Sequence, residues 1–173
     1  RSIAKWNGSV WDTLKPEYNS CFNAPVVNAS IRYNNEIYFG GNLTVMGNFF
    51  TPVGVAKWNG NNWDSLALGG VDGIVWGLQI YNNELWVCGN FDSAGGVPAS
   101  SIAKWNGTTW FAIDSTVWWP AIARMIEFQG DLYICGGMYN SSSTIWRIGK
   151  WNGTQWVPVG NGVIGGSSDV KSL

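Results

Sequence analysis

Histidine is missing from all 173 positions, which removes Ser-His-Asp and Cys-His nucleophiles and histidine-ligated metals from the chemistry this segment can perform. The remaining ionisable groups are sparse: eleven acids and ten basic residues, for a net charge of −1. Five of the acids, Asp12, Asp64, Glu36, Glu84 and Asp131, recur at matching points of a repeated sequence. A group needed in every copy is structural, so paired carboxylates are not expected to act as acid and base. No EF-hand loop, Walker motif or dinucleotide fingerprint is present. No enzymatic role and no cofactor is expected. The residues that break the repeat are the candidates for binding: Trp118, Trp119, Trp146, Asp72, Asp92 and Arg124. Indoles stack on sugars or partner peptides, and they equally plug the wide end of a packed scaffold. The three charged residues could contact a ligand, cap a loop or stay solvated.

The elements that position these residues come from a fourfold repeat. Lys-Trp-Asn-Gly occurs at Lys5 to Gly8, Lys57 to Gly60, Lys104 to Gly107 and Lys150 to Gly153, and a second tryptophan follows three residues after each glycine. The first tryptophans stand at 6, 58, 105 and 151, at intervals of 52, 47 and 46 residues, a period typical of four-stranded propeller blades or similar units. Aligned copies give a strand A such as Ile74 to Tyr81, a turn at Asn82-Asn83, a strand B from Glu84 to Gly89, a strand C from Ile102 to Trp105 and a strand D holding Trp110. Apolar and polar residues alternate with period two, and Asn-Asn or Asn-Gly supplies the positive φ of tight hairpins. The expected fold is all-β, a segment of four-stranded antiparallel blades. Its divisions are strands C and D over 1–14, three full blades over 26–68, 72–113 and 121–159, and the start of another over 162–173.

Two registers fit the Asn-Gly hairpin. In one, Trp105 opposes Thr108 and is diagonal to Trp110; in the other, the two indoles sit directly opposite. Both put Trp6/Trp11, Trp58/Trp63, Trp105/Trp110 and Trp151/Trp156 in pairs on one face of each hairpin. Each ring buries about 150–250 Å², roughly 4–6 kcal/mol at about 25 cal/mol per Å² before entropy is subtracted. These pairs are expected as layers between neighbouring blades.

Chain direction reverses at every strand, so the A–B and C–D turns share one end of the blades, and the B–C and D–A connections share the other. The first set is short and repetitive. The second holds the length variation, at about 15–25, 67–73 and 114–121 between blades and 42–54, 90–100 and 138–145 within them. Ligands are expected on that second face, because variable loops on a rigid scaffold are where binding resides.

The motifs Ile102 to Gly107, Gly89-Asn90-Phe91, Ala94-Gly95-Gly96-Val97-Pro98 and the doublets Gly40-Gly41 and Gly136-Gly137 make the chain resemble kelch-like β-propellers of the extracellular bacterial type. The resemblance covers nearly the whole chain. It implies blades arranged radially around a channel and used mainly for binding, in large secreted or cell-surface proteins such as those of Bacteroidetes, many exported by the type IX route. One kelch-like branch holds copper oxidases, but that chemistry needs His and Tyr ligands that nothing here matches. The expected partners are a protein or a glycan, together with the remaining blades of the same polypeptide, and the alternative is that the chain is part of an enzyme whose active site lies in those remaining blades. Rings close with 4–8 blades, and both ends of this sequence fall inside a blade, so it is expected to be part of a longer polypeptide, with a dimer of half-rings as the other possibility.

The near-neutral charge gives no basic face for nucleic acid, and no apolar run is long enough to span a bilayer. Cys88 and Cys135 occupy equivalent points of successive blades, too far apart to bridge, and are expected as buried free thiols, whereas Cys21 could pair outside this segment. Asn-x-Ser/Thr strings at Asn7, Asn28, Asn42, Asn106, Asn140 and Asn152 permit N-glycosylation. Turn chemistry explains Asn7, Asn106 and Asn152, which leaves Asn28, Asn42 and Asn140. The rival pattern, Asp-Ser/Thr before a small or apolar residue, includes Ser93 and Ser115 and looks like the O-glycosylation signal of Bacteroidetes secreted proteins.

Overall fold

A computed structural model describes residues 3–14, 26–43, 53–66, 70–113, 117–140 and 145–160, and these contain strands and turns but no helix. Cys21, Ser115 and the segment 162–173 lie outside the described residues. The chain opens with a hairpin of β1 (Ile3–Trp6) and β2 (Trp11–Leu14). A first four-stranded sheet follows, of β3 (Val26–Tyr33), β4 (Glu36–Leu43), β5 (Val53–Trp58) and β6 (Trp63–Ser65). The second sheet has β7 (Ile74–Tyr81), β8 (Glu84–Asn90), β11 (Ile102–Trp105) and β12 (Trp110–Ala112), with a short ribbon of β9 (Ser93–Ala94) and β10 (Val97–Pro98) inserted. The third comprises β13 (Val117–Phe128), β14 (Asp131–Asn140), β15 (Ile145–Trp151) and β16 (Trp156–Pro158). Each is an antiparallel meander in chain order.

The hairpins adopt the register with opposed indoles. Trp6 faces Trp11, Trp58 faces Trp63, Trp105 faces Trp110 and Trp151 faces Trp156, with ring centroids 5.2–5.4 Å apart and tilted by 49–57°. The asparagine side chain selects this four-residue loop. Asn106 Oδ1 accepts hydrogen bonds from the backbone N–H of Thr108 at 2.9 Å and of Thr109 at 2.8 Å, and Asn7, Asn59 and Asn152 do the same. The next residue takes φ of +101 to +105° in all four copies, which glycine alone adopts without strain.

Side-chain alternation gives the second sheet two buried faces. Leu85, Val87, Trp105 and Trp110 share one cluster with Tyr38 and Val55 of the first sheet, while Trp86, Cys88 and Ile102 share another with Ile122, Met125, Leu132, Ile134 and Trp156 of the third. The indole pair of each sheet therefore points back toward the sheet before it. Trp6 and Trp11 stand apart among the four pairs, at 50% and 67% exposed. They face away from the first sheet, on a side where no other described sheet packs, whereas Ile3 on the opposite face joins Phe39, Leu43 and Ala56.

Three further departures have local causes. β13 begins at Val117, so Trp118 and Trp119 lie in a strand where the sequence places a connection. β13 is an edge strand, and the register irregularity between Trp118 and Ala121 accommodates Pro120, which has no N–H to donate. β14 runs on to Asn140, three residues past Gly137, and the 90–100 connection folds into the β9–β10 ribbon about Gly95-Gly96, both at positive φ. The edge strands β3, β7 and β13 also bulge at one common point, between Val27 and Ala29, Val75 and Gly77, and Ile122 and Arg124.

Candidate functional site

The starts of strands A and C and the ends of strand B meet at one end of every meander, and most of the candidates fall there. In the second sheet, Asp72 precedes β7 and reaches the segment after β8. Its Oδ1 accepts from the backbone N–H of Asp92 and Ser93, both at 3.0 Å, and its Oδ2 accepts from the Ser93 hydroxyl at 2.9 Å. Partial burial alone would raise the Asp72 pKa, but the hydrogen bonds from Ser93 and Asp92 outweigh it and hold the carboxyl below its ordinary range. The carboxylate is thus a clamp between the connection before strand A and the connection after strand B. Ser93, a candidate for O-glycosylation, spends its hydroxyl on that clamp. Asp92 is exposed and contributes its backbone.

Arg124 lies within β13, away from this end. Its Nη1 donates to the carbonyl of Trp76 at 2.8 Å and to that of Ala123 at 2.7 Å. The Trp76 carbonyl belongs to the bulge of β7, and the preceding one, Val75 O, accepts from Asn28 Nδ2 at 2.9 Å. Arg124 and Asn28 therefore tie successive edge strands together by satisfying carbonyls at the bulge. Of the other N-glycosylation candidates, Asn42 is exposed in β4, and Asn140 ends β14 opposite Val117.

Trp118 and Trp146 stand at the same end of the third sheet, on β13 and β15 to either side of β14. Trp118 is in register with Tyr139 and Trp146 with Met138, and Trp119 follows Trp118 in the irregular stretch of β13. The fold thus brings these three residues together on one sheet end, 28 residues apart in sequence between Trp118 and Trp146.

The repeated charges are used within the sheets. Lys57 pairs with Glu36 at 3.0 Å, Lys104 with Glu84 at 2.8 Å and Lys150 with Asp131 at 2.6 Å, each linking strand C to the first residue of strand B. The hydrogen bond that Lys150 donates to the Asp131 carboxylate raises the Lys150 pKa. Both Cys88 and Cys135 are free and buried, and burial pushes both thiols up in pKa, so the nucleophilic thiolate is suppressed. Among the described residues no group of three potential metal ligands occurs, and no helix is long and apolar enough to cross a membrane.

One structural position escaped the sequence pattern of paired indoles. The strand-B aromatic, Tyr38, Trp86 or Tyr133, stands opposite the repeat lysine in each sheet. Trp86 meets Trp151 edge-on at 5.4 Å and Trp156 at 6.2 Å in the next sheet. Its signal was present in the aligned copies, as an aromatic two residues after the strand-B acid. Compared with known proteins, the chain matches no family model and no curated protein.

Proposed function

We propose that this chain is a segment of a kelch-like β-propeller that serves as a non-catalytic recognition or scaffolding module on a secreted or cell-surface bacterial protein. The observation that carries this reading is the division of labour among its polar groups. Lys57, Lys104 and Lys150 pair with acids within the sheets, Asp72 clamps a connection, Arg124 satisfies a bulge, and both described thiols are buried. Three meanders stacked face to face, with β7 against β3 and β13 against β7, support blades as their geometry. The binding surface is the end that carries the irregular connections, and its partner is a protein. Affinity capture from the organism's surface fraction tests this: one protein retained by the chain, and lost when the connections at 90–100 are shortened, is the expected outcome.

A lectin-like propeller is the second reading, favoured by the placement of Trp118, Trp119 and Trp146 at one sheet end. A glycan array probed with the native chain and with the triple alanine variant separates the two. Saccharide binding abolished by the variant supports the lectin; an empty array with a retained protein supports the first reading.

A further inference from the structure

Strands β3, β7 and β13 each form one edge of a four-stranded sheet, and β7 packs against both of the others. All three bulge at the same register, which leaves one unpaired residue at each matching point: Asn28, Trp76 and Ala123. A bulge re-aims a side chain out of the alternation of its strand. Asn28 and Ala123 are half-buried there, whereas Trp76 is 37% exposed and joins neither of the buried clusters that flank the second sheet. Within the three four-stranded sheets it is the one exposed indole among the described side chains. The second sheet has a neighbour packed on either face, so this exposure is set by the bulge.

Polar groups reach the same point from both neighbouring sheets. Arg124 of the third sheet holds the Trp76 carbonyl at 2.8 Å, and Asn28 of the first holds the preceding carbonyl, Val75 O, at 2.9 Å. The bonds of Arg124 to Trp76 O and Ala123 O both leave from Nη1, so neither uses the Nε–Nη2 edge that meets a carboxylate side-on. Asn28 donates through Nδ2 and keeps Oδ1 as an acceptor. Among the described residues no carboxylate lies within ion-pair distance of Arg124. A guanidinium without such a partner, beside an exposed indole and an amide oxygen, suits a flat ring that carries both a carboxylate and hydroxyls.

We infer that the line of bulges is a binding site for a uronic acid residue of an acidic saccharide. The sugar ring stacks on Trp76, its carboxylate pairs with Arg124, and a ring hydroxyl donates to Asn28 Oδ1. Stacking supplies tolerance for the ring, and the guanidinium supplies selection for the acid. The site involves none of Trp118, Trp119 or Trp146 and rests on neither reading given above, so it can fail or stand without them.

The probe is the trimer of galacturonic acid, titrated calorimetrically into the whole 173-residue chain beside the neutral galactose trimer of the same linkage. The acid is expected to bind at least about tenfold more tightly than the neutral sugar, the worth of one hydrogen bond to a charged group. Arg124→Gln keeps a donor for the Trp76 carbonyl, removes the charge, and is expected to erase that margin. Trp76→Ala is expected to lose the acid altogether. No binding at millimolar acid, equal affinity for the acid and the neutral trimer, or binding indifferent to Trp76→Ala overturns the proposal. So does pentaglutamate that matches the acid trimer, because the site then reads charge and not a sugar ring. If either variant does not fold, the native chain still decides: the two trimers must differ, and the indole N–H resonance of Trp76 must shift with the acid.

Discussion

Trp86 projects from β8 and meets Trp151 of the third sheet edge-on, with ring centroids 5.4 Å apart and planes inclined by 65°. Two residues 65 positions apart in sequence thus join two sheets that share no ladder. The contact is the edge-to-face arrangement that aromatic quadrupoles favour. It shows how the repeat works as a stack: each sheet offers a strand-B aromatic forward and an indole pair backward.

The asparagine of each Asn-Gly hairpin is a structural acceptor. Asn106→Ala removes a side-chain oxygen that satisfies two backbone donors, and is expected to cost about 1 kcal/mol, as loss of a comparable capping group does. Asn106→Asp keeps the acceptor and is expected to stay within about half that loss. Urea unfolding of the two variants, compared at constant m-value, checks the pair.

Glycine at 89 is required by close approach. A Cβ there collides with the Ile74 carbonyl and lies 2.8 Å from Val75 Cα, both backbone atoms of the neighbouring strand at its bulge. Gly89→Ala is expected to destabilise by about 2 kcal/mol or more, since the strand itself has to move. Gly8→Ala meets nothing within 4 Å and suffers only the strain of its positive φ, about 1 kcal/mol. Thermal unfolding of both variants gives the order.

Tyr38 provides an alkaline marker. Burial first, and then the neighbouring Glu36 carboxylate, push its pKa from 10.0 up to about 12. A hydroxyl that ionises later in the folded chain stabilises it fully below about pH 10 and loses that contribution as pH rises through about 12. Ultraviolet titration is expected to show a tyrosine phase well beyond pH 10 that Tyr38→Phe removes, and Tyr38→Phe to flatten the decline in stability above pH 10. Tyrosinate formation complete near pH 10 contradicts this placement.

Asp72 acts in the opposite direction. Its lowered pKa means the folded chain holds the carboxylate more readily than the unfolded chain. The stabilisation is present above the ordinary value of 3.8 and fades as pH falls through the lower folded value. Asp72→Ala is expected to lose about 1 kcal/mol at neutral pH, with the gap to the native chain closing in acid. A gap independent of pH shows that the hydrogen bonds to Ser93 do not depend on the charge.

Much of this was legible in the sequence. The bounds of β7, Ile74–Tyr81, and of β11, Ile102–Trp105, are those that apolar alternation and the Asn-Asn turn predict. Alternation records local burial, and turn residues record backbone geometry. What it does not record is the identity of the neighbour. Trp6 and Trp105 sit in the same Ile-Ala-Lys-Trp string, yet one is exposed and the other buried, because the sheet that covers Trp105 has no described counterpart over Trp6. In the sequence Arg124 reads equally as a ligand contact, a loop cap or a solvated charge near the variable end, and its acceptor, the Trp76 carbonyl, is 48 residues away on another strand. The hairpin register needed the Asn Oδ1 contacts to decide it. The sequence places 114–121 in a connection, but at an edge strand the chain passes through Pro120 in extended form.

Equilibrium unfolding of Trp86→Ala beside Trp11→Ala tests most directly whether inter-sheet aromatic contacts hold this molecule together. Trp86 is 2% exposed and Trp11 67%, so the first variant is expected to lose about 3–5 kcal/mol and the second less than about 1 kcal/mol. Equal losses, or a stable Trp86→Ala chain, contradict the stacked arrangement of the sheets.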